Sequence, residues 1–148
     1  MSEAFQFVAT LSCTLFAGAA LYINLAEHPA RMQCGTELAA TVFGPSYHRA
    51  AAMQVPLALT ATVSGLGSWW FDSSILWIAG ALLIFAVVPY TLTVILPTNK
   101  RLLTTGIDRT ARDTQLLLVR WGRLHALRTI ASLSASVIFL IAVLKHKC

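Results

Sequence analysis

Between Glu3 and Glu27 the chain carries no charged side chain. The run Ala4–Leu25 meets the roughly 20 residues that a helix needs to cross a bilayer. In hydrocarbon only a helix or a closed barrel satisfies every backbone N–H and C=O. The run is read as a retained first helix and not as a leader, because no basic residue precedes it and it exceeds the roughly 7–15 residues of a leader's apolar region. Composition says the same of the whole chain: of 148 residues 57% are hydrophobic and 11% charged, with a mean hydropathy of +0.70. A soluble domain has about a quarter of its residues charged, so this chain cannot cover a water-facing surface. Its hydrophobicity also excludes disorder. The expectation is an all-α, integral membrane four-helix bundle in a single domain, 1–148.

The remaining spans are placed by their edges. A second runs from about Ala50 to Trp69, with Pro56 inside it to bend it and Ala61 and Gly65 at the small-xxx-small spacing that lets helices approach. Trp69, Trp70 and Phe71 follow beside Asp72, as in an interfacial aromatic belt. The third, Ser74–Leu96, is the most hydrophobic and ends at Pro97-Thr98-Asn99-Lys100-Arg101. The fourth apolar run, Thr129–Leu144, is short, but its helical pattern reaches back to about Asp113. Ser132 and Ser136 form a second small-residue pair. No internal repeat stands out.

Four spans put both termini on one side. The two long loops and their flanks hold nine Lys/Arg, against Lys145 and Lys147 opposite. By the positive-inside rule the long loops are expected in the cytoplasm and the termini on the other side. The net charge of +5 is therefore read as orientation and contact with anionic lipid, with no nucleic-acid partner. Cys13, Cys34 and Cys148 form no CxxC, and no disulfide framework is expected.

With that topology the polar residues collect at one depth. Asn24, Glu27, His28 and Arg31 end the first helix, Tyr47 and His48 precede the second, Asn99 follows the third, and Trp121, His125 and Arg128 start the fourth. Of the four histidines only His146 lies elsewhere. An ionisable group in a membrane costs about 3 kcal/mol or more unless paired, which makes each one a functional candidate. Trp121, His125 and Arg128, at i, i+4 and i+7, share one helical face, and Gln115 and Leu118 extend it. Plainer readings stand beside these. His48 fits an interfacial residue, Glu27-His28-Pro29 a turn device with a kink at His28, and Arg128 a helix tie to Glu27.

Metal chemistry has little support. A carboxylate-bridged di-iron bundle uses Glu-x-x-His pairs and further glutamates, whereas this chain has six acidic residues and no such motif. Zinc would need Glu27, His28, His48 and His125 to converge, and no helix has the spacing of a haem bundle. No metal is expected. P-loop, GxGxxG and GxSxG motifs are absent.

Tyr22-Ile23-Asn24-Leu25-Ala26-Glu27-His28-Pro29-Ala30-Arg31, Phe43-Gly44-Pro45-Ser46-Tyr47, Pro97-Thr98-Asn99-Lys100-Arg101-Leu102 and Trp121-Gly122-Arg123-Leu124-His125-Ala126-Leu127-Arg128-Thr129 together resemble the anthrone oxygenase-like family of small four-helix membrane proteins. The Trp-x-x-x-His-x-x-Arg and Pro-x-Asn pieces are the most specific. The likeness is to the bacterial branch more than to the fungal polyketide enzymes.

The resemblance implies a monooxygenase that converts an anthrone to an anthraquinone with dioxygen and no cofactor. In that chemistry His125 would take the acidic methylene proton, with His28 and His48 as alternative bases. Arg128 and Asn99 would stabilise the oxyanion, and Trp121 would stack on the flat ring. Asn24, Glu27, Arg31 and Tyr47 would complete the substrate site. The partners implied are a small hydrophobic aromatic, dioxygen and membrane lipid, with a homo-oligomer left open. Two other classes fit the same composition: a non-catalytic lipid- or quinone-binding module, and a subunit of a membrane assembly that docks through its small-residue faces.

Overall fold

The computed structural model describes residues 2–146. Lys147 and Cys148, which entered the charge and cysteine counts, lie outside the described residues. Four helices follow one another: α1 (Ser2–Gln33), α2 (Thr36–Asp72), α3 (Ile75–Leu102) and α4 (Arg112–His146). Each is long and apolar enough to cross a membrane, and no strand occurs among the described residues. Each helix packs on its sequence neighbours, and α4 closes the ring against α1. The outer surface presents Val63, Leu82 and Ile130, all more than half exposed. In water this would be a large apolar patch; against lipid it is the expected exterior of a multi-pass membrane protein.

The helices are longer than the apolar runs. α2 begins at Thr36 and not near Ala50, because Pro45 and the polar residues around it sit inside the helix without ending it. The chain actually turns at Gly35, whose φ of 95° suits a residue without a Cβ. His28, expected to leave the helix ahead of Pro29, stays helical, with φ −66° and ψ −46°. A π-helical turn, Ile23–Glu27, precedes it, and the His28 N–H bonds the Ile23 carbonyl. Pro29 follows where the hydrogen-bond ladder changes spacing, a place that tolerates a missing N–H. α3 repeats the device, with a π turn at Thr91–Ile95 ahead of Leu96-Pro97.

The interior divides along the bundle. The end near the α2–α3 turn is close-packed and mostly apolar, with Gln6, Ser64 and Ser68 buried among its hydrophobic side chains. Phe139 is fully buried there against Trp77, with ring centroids 5.5 Å apart. A Cβ added at Gly80 would lie 2.5 Å from the Phe139 ring, and Gly65 already sits where a Cβ would come 2.9 Å from it. Ala61 and Gly65 are both buried inside the bundle. The small-residue face of α2 is therefore spent on its own α3 and α4 and is not free to dock a partner. Ser132 and Ser136 are used internally too: Ser132 O accepts from Cys13 Sγ at 3.8 Å, and Ser136 Oγ lies 2.9 Å from Thr14 Oγ1. The buried histidines and the buried arginine, His28, His125 and Arg31, lie in the other half of the interior, with Asn99 beside them.

Candidate functional site

The π turn in α1 places Asn24 against α4, where the amide joins three groups. Its Nδ2 donates to the Gly122 carbonyl at 3.2 Å, which fixes the amide orientation. Its Oδ1 accepts from Thr129 Oγ1 at 2.6 Å and lies 2.6 Å from His125 Nδ1. Because that oxygen can only accept, Nδ1 must carry the imidazole proton. In the neutral ring the lone pair then sits on Nε2, which has no hydrogen-bond partner among the described residues.

His125 is 2% exposed and stacks on Trp121, with centroids 4.8 Å apart and planes 29° from parallel. Trp121 in turn meets Phe43 edge-on at 5.3 Å and His28 at 5.1 Å, with the Arg31 guanidinium 5.9 Å above its ring. The indole is thus packed into the wall and offers no broad open face for stacking a substrate. Its Nε1–H is buried and unpaired. His28 lies so close over α4 that a Cβ on Gly122 would come 2.7 Å from its Nε2. Gly122 is what lets α1 and α4 meet here.

Two arginines stand in contrasting surroundings. Arg31 Nη2 pairs with Glu27 Oε1 at 2.7 Å, and the same oxygen accepts from Ser46 Oγ at 2.5 Å. This ties α1 to α2 through one regular i, i+4 pair, with no break at Pro29. Arg128 does not reach Glu27. Its Nη2 donates to Gln54 Oε1, and its guanidinium lies 4.9 Å over the Phe16 ring. Among the described residues it meets no carboxylate. A cation held at this depth with only a neutral amide and an aromatic face is incompletely balanced.

These side chains border a narrow cavity of about 30 Å³ whose wall includes Arg31, Tyr47, Gln54, Asn99, His125 and Arg128. That is room for a water or two, or a dioxygen molecule. Buried polar atoms without a partner include Arg31 Nε, Gln54 Nε2, Trp121 Nε1 and Arg128 Nε, all donors, and Asn99 Oδ1. Buried polar atoms are nearly always paired in folded proteins, so a cluster of unpaired donors around one cavity would suit acceptor oxygens there.

Most of the residues expected from sequence gather here. Asn24 and Glu27 stand behind the wall as supports, and His28 props Trp121. His48 does not join them: it is exposed, with its ring 5.3 Å from Tyr47. Gln115 is exposed as well, although Leu118 on the same stripe is fully buried. No three His, Cys, Asp or Glu side chains among the described residues lie close enough to hold a metal, so Glu27, His28, His48 and His125 do not converge. Sequence reasoning missed Gln54, only 1% exposed. The signal for it was an amide in the middle of an apolar span. Thr129 and Gly122 were missed as well, since each matters only through its contact with α1.

No curated protein and no solved structure matches the chain. The sequence profile described as Anthrone oxygenase matches residues 43–138. That segment begins with Phe43 and contains Tyr47, Gln54, Asn99, Trp121, His125 and Arg128, while α1 with its supporting residues precedes it. The match spans well over half of the chain and takes in most of the cavity wall, so the chain belongs to the anthrone oxygenase family.

Proposed function

We propose that this protein is a membrane-embedded monooxygenase that oxidises a small hydrophobic aromatic of the anthrone type with dioxygen, base-assisted and without a cofactor. The observation that carries the reading is a buried imidazole, its Nδ1 held by Asn24, beside a partly buried guanidinium that meets no carboxylate among the described residues. Family membership supports the reaction class. An anthrone's methylene is acidic because the anion is an aromatic phenolate. His125 Nε2 takes that proton, and the negative charge that develops on the ring oxygen falls to Arg128, with Gln54 Nε2 as a further donor. The anion gives an electron to dioxygen, and the radical pair combines at the former methylene carbon. The resulting hydroperoxide loses water to leave a ketone. One oxygen atom enters the product and the other leaves as water, so no external reductant is needed.

The positive-inside rule favours the cytoplasm for the site end, where Lys100, Arg101, Arg109 and Arg112 cluster. Protein in lipid nanodiscs, supplied with anthrone, should consume dioxygen and form anthraquinone well above the spontaneous rate. Uptake no faster than in empty nanodiscs would remove the oxygenase reading. Retention of anthraquinone without turnover would instead identify a ligand-binding module.

A further inference from the structure

The cavity at His125 is too small for three fused rings, yet it does not end at its own walls. Tyr47, Ala51, Gln54 and Arg128 also form the inner end of a second space, about 130 Å³, between α2 and α3. Ala58 and Val87 line its sides. Val55 and Leu92 stand at its rim with 51% and 58% of their surfaces exposed. Both rim residues lie inside apolar spans, so the mouth opens toward the bilayer. Lipid-facing apolar residues thus lead inward to two buried donors without partners, Gln54 Nε2 and Arg128 Nε.

We infer that the α2–α3 groove is a lateral portal through which a flat, neutral aromatic ketone dissolved in the bilayer enters, its carbonyl oxygen drawn to the Gln54–Arg128 pair at the inner end. The inference rests on the proposed function for its ligand class. The groove holds the rings in this entry pose, with the smaller cavity left for dioxygen beside His125; the methylene, on the ring edge opposite the carbonyl, then turns toward His125 for proton removal. Gln54 and Arg128 are specificity determinants: their hydrogen-bond donors favour a ring that bears an acceptor over a plain hydrocarbon of the same shape.

The probe is anthraquinone in vesicles of neutral phospholipid holding the full-length protein, read by quenching of Trp121 fluorescence as the difference from Trp121→Phe. Diluting the vesicles at a constant probe-to-lipid ratio should leave the quench unchanged. With Cys34→Ala and Cys148→Ala as background, Val55→Cys is labelled after folding with a bulky lipid-soluble maleimide. Apparent affinity should fall roughly tenfold or more. The same label on Val63→Cys, on the lipid face away from the groove, should leave it unchanged. Anthracene, lacking the carbonyls, should bind at least about tenfold more weakly. Equal binding with the label at either position, or a quench that tracks aqueous concentration, overturns the portal, as does no quench in the unmodified protein. Portal-dependent binding without dioxygen uptake from anthrone would keep the portal and overturn the oxygenase reading.

Discussion

Gly80 and Phe139 join α3 to α4 at one end of the bundle; Asn24 and His125 join α1 to α4 in the other half. The first junction works through size. Phe139 fills the space left by two absent Cβ atoms, and only dispersion and shape hold it. The second works through directed hydrogen bonds, and donors on the side chains beside it, Gln54, Trp121 and Arg128, are left unused. A membrane gives no hydrophobic drive for helix association, so both junctions must supply specific contacts. Only the first is complete in itself. Packing that needs nothing more is structural, whereas a polar network beside unused donors is where the proposed substrate would bind.

The sharpest test of this contrast is His125→Ala. It should lower anthrone turnover by roughly 10²–10⁴-fold while leaving helical content and thermal midpoint in detergent close to the parent's. A loss of folding in step with activity would make His125 part of the scaffold. Gly80→Leu should do the opposite. The new side chain has to displace the Phe139 ring, at a cost of about 1–3 kcal/mol or more. A lowered thermal midpoint with near-normal turnover per folded molecule would show that the two ends are separable. Asn24→Leu lies between them. It removes the acceptor of His125 Nδ1 and Thr129 and the donor to Gly122, costing about 1–3 kcal/mol. It also frees the imidazole to change tautomer, so turnover should fall more than the thermal midpoint predicts. Smallest of all, His48→Ala should change stability by no more than about 0.5 kcal/mol and leave turnover at the parent level. A clear drop in dioxygen uptake would bring His48 into the site after all.

The four spans were legible because their signal is additive: each apolar residue adds to the case for a helix in lipid, whatever its neighbours do. The ends of the helices were not. Pro45 and the polar residues from Thr36 to Arg49 read as loop, but the break lies at Gly35, and helical geometry tolerates proline once neighbouring contacts hold it. Within the site, Trp121, His125 and Arg128 could be read as one face because i, i+4, i+7 is fixed by the helix itself. Partners across helices followed no such rule. The Glu27 carboxylate took Arg31 from its own helix, leaving Arg128 to Gln54, a choice set by the packing of α1 on α2. Which face of Trp121 would be open likewise depended on Phe43 and His28 arriving from two other helices.

The π turn followed by an X-Pro step occurs twice, at His28-Pro29 and at Leu96-Pro97, on the two helices that cross in the same direction. Two residues past each proline stands a buried polar side chain, Arg31 in one case and Asn99 in the other. On the helix that follows, Tyr47, Ala51 and Gln54 keep the i, i+4, i+7 spacing of Trp121, His125 and Arg128, and the last of each set bonds to the other. Although the letters show no repeat, the chain reads as two helical hairpins drawn to one plan and facing each other. The middle place of that plan holds an imidazole in the second hairpin and a methyl group in the first. The proposed chemistry would use that plan unequally, since at the cavity wall the second hairpin brings an imidazole where the first brings only the Ala51 methyl group.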